Sequence, residues 1–258
     1  MAKHLLFYES AVPVSVTQHR DLAIEPVKYG FAATVNAVPL TCVEFPLAAR
    51  EYTVVFAGEN EVVPVALLGI KDAENLYVND EGDWSADYVP AFVRRYPFVF
   101  STGANPSQLT LCVDEKWGGC NRENRGQRLF DDQGERTPYL NQMLKFLEEF
   151  QVHFTRTQTF CKKLLELDLL EPMKADISFP DGGTRSLVGF RAVSRAKLKA
   201  LSAEKLAELC KSDELELIYD HLLSMNNFSL IINRVSQRQK TSSDAPAAEE
   251  AAAEAPQA

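Results

Sequence analysis

The chain has 258 residues, 46% hydrophobic and 24% charged, and carries a net charge of −9. That balance suits a globular protein with one large or two modest cores. The acidic excess, with no Lys/Arg stripe, argues against a nucleic-acid partner, and no window approaches the roughly 20 apolar residues of a membrane span.

From Met1 to Ser15 the chain carries one lysine and a short apolar run that Glu9 interrupts. That is too little for the h-region of a secretory signal, so a cytoplasmic location is expected. Residues 1–135 then read as a β-rich part. Short apolar runs alternate with turn signals: YTVVFAG, ENE, VVPVALLGI, and later LYV, NDEGD, W. Such runs predict strands and hairpins. Pro13, Pro26, Pro39, Pro46 and Pro64 predict strands that are short or at sheet edges. Asn79–Asp83 resembles a calcium loop but lacks the alternating ligands and terminal glutamate, so a turn is expected there.

Asp83–Phe100 is the densest signal, with six aromatics around the adjacent pair Arg94-Arg95. Pro90 favours a helix start and Pro97 a stop, giving one or two helical turns with Tyr88, Phe92 and Tyr96 on one side. The cluster can be a core with its polar groups at the margin. Aromatic clusters more often pack cores; the functional reading is a recognition surface, since Trp, Tyr and Arg concentrate at binding hot spots. Trp84, Arg94, Arg95 and Tyr96 are the candidate binding residues, and the ligand that suits them is a peptide segment or an acidic end of a partner protein. LTLCVDE (109–115) predicts a further strand. Asp114 and Glu115 alternate across it and form no dyad; an ion pair with Arg94 or Arg95 is the expected use of one of them. Asp131–Glu135 predicts a connecting turn.

Residues 136–235 change character. Thr137-Pro138 is a cap followed by proline at the first helical position. Leu140, Met143, Leu144, Leu147, Phe150 and Phe154 then recur at helical spacing, and the pattern can resume at Phe160, Cys161, Leu164, Leu165 and Asp168, with Pro172 as the stop. A single helix of that length would span about 50 Å; the TRTQT run could instead bend or break it. ADISFP and TRSLVGFRAV around Asp181-Gly182-Gly183 predict one β-hairpin. Ser202 predicts a cap, Asp213 with Glu216 predicts a capping pair, and Leu215, Ile218, Leu222 and Met225 predict an apolar stripe. FSLIINRV (228–235) is read as continued helix. Residues 236–258 are rich in Ala, Glu and Pro and predict a disordered tail.

Catalytic templates fail. No GxGxxG, phosphate loop or GxSxG elbow occurs. The five cysteines are widely spaced and fit reduced, mostly buried thiols. Neither the spacing of Cys112 and Cys120 nor any His pair supplies a zinc set. No catalytic residue, metal or cofactor is expected. The alternative is a metal-dependent, oxygenase-like or peptide-modifying enzyme, which would need His153 and His221 to converge with nearby carboxylates.

VRRYPFVF (93–100), LCVDE (111–115), LF–DDQGERT (129–137), LVGFRAVSRAKLKAL (187–201) and IYDHLLSM (218–225) together resemble the SapC family of bacterial proteins. The resemblance spans residues 3–235. It implies association with a bacterial surface layer, or with halogenase-like and oxygenase-like enzymes and outer-membrane receptors, and carries no catalytic residues. The expectation is therefore an α+β protein: a β-rich N-terminal part of short antiparallel strands, a long helix and a helical C-terminal part. Its expected function is non-enzymatic binding of a protein or peptide, with a surface-layer structural role as a further alternative.

Overall fold

The computed structural model describes residues 6–26, 28–102, 109–178 and 183–238. In chain order the first elements are β1 (Ala11–Pro13), α1 (Val16–His19), β2 (Ala23–Ile24), β3 (Ala37–Pro39), α2 (Phe45–Ala48), β4 (Val54–Ala57), β5 (Val63–Leu67), α3 (Ala91–Arg94), β6 (Phe98–Thr102) and β7 (Leu109–Asp114). Then come β8 (Cys120–Asn121), β9 (Gln127–Arg128), α4 (Pro138–Glu166), β10 (Leu170–Ser178), β11 (Thr184–Val193), α5 (Arg195–Lys199), α6 (Ala203–Lys211) and α7 (Glu214–Ser224). The fold is α+β, as the sequence predicts. Three antiparallel sheets have the orders β10-β11-β4-β5-β3, β1-β7-β6 and β8-β2-β9.

The YTVVFAG and VVPVALLGI runs form the β4–β5 hairpin, with Val54 opposite Ala66 and Ala57 opposite Val63. Gly58 turns it at φ +99°, where a Cβ would lie 2.2 Å from the Glu61 carbonyl oxygen. Pro13 and Pro39 sit in the edge strands β1 and β3, where a missing donor costs nothing. Pro64 departs from the expectation: it stands one residue into the inner strand β5. The turns at Asn79–Asp83 and Asp131–Glu135 are closed by the bridges Val78–Trp84 and Phe130–Arg136, and Asp131 Oδ1 accepts from Gln133 N and Glu135 N.

The hairpin from the second part of the chain joins the sheet of the first, because β11 pairs with β4 through Phe190–Ala57 and Arg191–Phe56. Between Met173 and Ala175 the β10–β11 register slips at a bulge, where Gly189 adopts φ +84°. Residues 181–182 of the predicted turn lie outside the described residues, as does the predicted tail from residue 239 onward.

Helix α4 runs unbroken for 29 residues, about 43 Å. Its three threonines do not break it, because Thr155, Thr157 and Thr159 each donate a hydroxyl to the carbonyl four residues earlier. One half packs Leu140 and Leu147 with Phe98, Val113, Leu129 and Phe130. The other packs Phe150, Phe160, Cys161 and Leu164 into the larger core with Phe45, Phe56 and Phe92. The helix thus ties two apolar clusters together.

Its end is earlier than predicted. The helix stops at Glu166, Asp168 turns left-handed at φ +51°, and Pro172 lies inside edge strand β10. The start is as predicted: Thr137 Oγ1 accepts from Leu140 N at 3.3 Å and donates to the Arg128 carbonyl at 2.7 Å. Thr137→Ala is expected to cost about 1–2 kcal/mol, measured as a lowered urea midpoint; an unchanged midpoint would remove the cap from the account.

Ser202 caps α6. Asp213 does not cap α7: it occupies the left-handed region at φ +60° and makes no cap bond. Only one residue separates α6 from this turn, so the backbone reverses at Asp213 and its side chain cannot reach the N3 amide. Ile218 and Leu222 of the predicted stripe are buried. Helical geometry continues over 228–238 after a turn at Met225–Asn227. Asn227 fixes that turn by donating to the Ala49 and Tyr52 carbonyls at 2.8 and 2.9 Å.

Candidate binding site

The aromatic–arginine segment enters the fold through α3 and β6. Glu44 and Glu51 hold the stretch before α3: Glu44 Oε1 accepts from Ala91 N and the Tyr88 hydroxyl, and Glu51 accepts from Asp87 N and Tyr88 N. Tyr88 therefore turns to Glu44 instead of sharing one side with Phe92 and Tyr96. With this stretch pinned, the one-turn helix aims Arg94 outward and Arg95 inward.

Arg95 is 6% exposed. Its guanidinium lies 4.0 Å from the Phe92 ring centre, 5.0 Å from Phe150 and 5.8 Å from Tyr8. Ring faces supply some of the stabilisation that lost water would have given. Burial still lowers its pKa, while neighbouring Tyr8 acts in the opposite direction. Arg94 is exposed; its Nε donates to the Val89 carbonyl at 2.9 Å and its guanidinium covers Phe146 at 5.1 Å.

Tyr96 is 4% exposed and stacks on Phe31 at 4.1 Å. Its hydroxyl donates to Asp114 at 3.3 Å, and burial first, then Asp114, raises its pKa. Half-buried Trp84 belongs to a different nest, donating to the Tyr52 hydroxyl at 2.8 Å and meeting Tyr29 edge-on at 5.6 Å. So the structure joins Arg95 and Tyr96, and sets Arg94 and Trp84 apart from them. Tyr29 and Phe31, 6.4 Å apart, bridge the Trp84 nest to the Tyr96 nest.

Asp114 differs from its expected use. Among the described residues it forms no ion pair with Arg94 or Arg95. It is fully buried and accepts from Glu9 N at 2.7 Å, Ser10 N at 3.1 Å and Lys116 N at 3.3 Å. Glu115 points elsewhere, 2.9 Å from His19 Nε2 and 3.7 Å from Arg122. Phe7 and Tyr8 are the participants that sequence reasoning missed. Phe7 meets Phe31, Phe92 and Tyr96 edge-on at 5.0, 5.5 and 5.7 Å. The FYES stretch carried a signal in its paired aromatics, but it has no strand or helix period.

The histidines of the enzyme alternative are placed differently. Buried His221 accepts from Val193 N at Nε2 and donates from Nδ1 to the Val54 carbonyl, at 3.0 and 2.9 Å. Both ring nitrogens are thus taken by backbone, and neither is available to a metal. His153 lies half-buried on α4. Among the described residues no group of three His, Cys, Asp or Glu side chains is arranged to hold a metal. Burial pushes the Cys42 thiol up to about 11 and Cys120 up to about 12, so neither is a thiolate nucleophile near neutrality.

A separate groove of about 660 Å³ lies between the stretch 14–16, β7 and the first turns of α4, lined mainly by Val14, Val16, Leu109, Leu111, Leu140 and Leu144. None of the four candidate binding residues lines it. No helix among the described residues is long and apolar enough to cross a membrane.

A family model described as SapC matches residues 14–230, and the chain belongs to that family. No curated protein and no solved structure matches it.

Proposed function

We propose that this SapC-family chain acts by shaped contact with a protein or peptide partner and not by bond-making, as an accessory to the enzymes or receptors that the family resemblance suggests. The observation that carries the reading is the aromatic run Trp84–Tyr29–Phe31, all three half-buried and in successive ring contact. Half-exposed aromatics offer large apolar area at low entropic cost, which is what interface anchors need. Arg94 adds an exposed guanidinium 5.1 Å from the Phe146 ring centre, a group that suits a partner's carboxylate. Arg95 acts from behind, against Phe92 and Phe150, and Tyr96 extends the aromatic surface by stacking on Phe31. We place the protein in the cytoplasm, where its five free thiols stay reduced.

The test is Arg94→Ala. The full-length protein should lose at least about tenfold in affinity for its captured partner, near 1.4 kcal/mol, with its melting temperature unchanged because the side chain is exposed. Unaltered affinity, measured by titration of the purified partner, would count against the reading.

A further inference from the structure

Residues 6–10 are held in an unusual way. Leu6 and Phe7 lie in a turn, and the ladder of β1 begins only at Ala11. Instead Phe7 sits edge-on to Phe31, Phe92 and Tyr96. Tyr8 meets Tyr96 at 5.1 Å and donates its hydroxyl to the Phe98 carbonyl at 2.6 Å. The next two amides, Glu9 N and Ser10 N, converge on the two oxygens of Asp114. Two rings in an aromatic cradle and two main-chain donors on one buried carboxylate are the contacts of a bound peptide. Leu6, ahead of them, is 46% exposed.

We propose that the cradle of Phe31, Phe92, Tyr96 and Asp114 is a peptide-binding site, and that residues 6–10 are its resident, displaceable ligand. This deepens the partner-binding reading above and rests on it. The partner's segment would carry an aromatic pair followed by two residues with free amide groups, because Asp114 takes two consecutive main-chain N–H groups there and proline has none to give. The cradle itself does not depend on the resident segment for its position. Phe92 is set by α3, Tyr96 by its N–H to the Val93 carbonyl, Phe98 by its pairing with Val113, Asp114 by its N–H to the Pro97 carbonyl, and Phe31 by its own turn at Tyr29–Ala32.

A short tether gives the resident segment an effective concentration in the millimolar range. A free peptide of about 100 μM intrinsic affinity would therefore bind the intact protein about tenfold more weakly than an emptied cradle. The probe is a labelled peptide HLLFYESAVP, matching residues 4–13, titrated by fluorescence anisotropy into the full-length protein and into its Phe7→Ser/Tyr8→Ser variant. The variant should bind at least tenfold more tightly, and a peptide with both aromatics replaced by serine should bind neither. A folded variant that does not bind the peptide, or binds it no better than the parent, overturns the proposal. If the variant fails to fold, amide exchange in the unaltered protein decides: Glu9 and Ser10 should lose protection when the peptide is added at millimolar concentration, and unchanged protection overturns the idea. A dimer with exchanged N-terminal segments and no peptide binding would also overturn it, by giving the cradle to a second copy. Arg94 takes no part in these contacts, so Arg94→Ala should leave peptide binding to the emptied cradle unchanged, and a failure of this proposal leaves the Arg94→Ala result standing.

Discussion

Replacing Glu44 by alanine is expected to cost about 4 kcal/mol of folding free energy. The side chain is 3% exposed. Oε2 accepts from Thr41 N at 2.7 Å and Thr41 Oγ1 at 2.9 Å, and Oε1 accepts from Ala91 N at 2.7 Å and the Tyr88 hydroxyl at 2.8 Å. Among the described residues it has no cationic partner, so four donors alone stabilise the buried charge. Alanine would leave two amides and two hydroxyls without their acceptor in a dry site, and each such loss is worth about 1–3 kcal/mol before relaxation. Glu44→Gln keeps one acceptor oxygen and should cost about half as much. Urea denaturation gives both numbers, and an alanine penalty below about 1 kcal/mol would show that the site rehydrates freely. The variant also tests the binding surface, because the same carboxylate positions the start of α3 and hence both arginines.

Acidification should destabilise the protein through His221. Its Nε2 accepts from Val193 N, so a proton there would place two N–H groups head to head. Burial is the main cause of a pKa pulled down to about 4; the Val54 carbonyl opposes the shift and Arg195 adds to it. In the unfolded chain the imidazole protonates near 6.5. Between those two values unfolding takes up a proton. The stabilisation is therefore complete above about pH 6.5 and declines as pH falls toward about 4, by roughly 3 kcal/mol in all. Below that both states are protonated and the term is constant. Urea midpoints near pH 7.5 and pH 4.5 should show most of this loss. His221→Gln, which can still donate and accept, should remove this component of the pH dependence. An equal acid sensitivity in that variant would assign the effect to other groups.

Much of the fold is legible from local chemistry. Thr137-Pro138 marks the start of α4 because capping is decided within one turn, and the β4–β5 hairpin follows from two apolar runs around a polar turn. Misreadings arise where one backbone angle outweighs a pattern. Asp213–Glu216 has the spacing of a capping pair, but the left-handed turn after α6 moves the aspartate away. Leu167–Leu170 continues an apolar run, yet Asp168 reverses the chain and the leucines pass into a strand. The candidate site was half legible. Composition finds the aromatic–arginine cluster, and the alternation of charged and apolar neighbours does not say which of Arg94 and Arg95 turns inward. Nothing local to Glu44 or Phe7 announces that they converge on that cluster, and Asp114 meets it through Tyr96 instead of an arginine.

One pairing has a consequence for biosynthesis. Strand β4 lies between β5 and β11, and β11 is made about 130 residues after it. At roughly 5–20 residues per second, a nascent chain leaves one side of Val54–Ala57 uncovered for on the order of ten seconds. Those residues are apolar and would form a tempting edge for another polypeptide emerging nearby. The nascent chain is thus the stage at which this strand is most open to wrong pairing, before the finished sheet covers it.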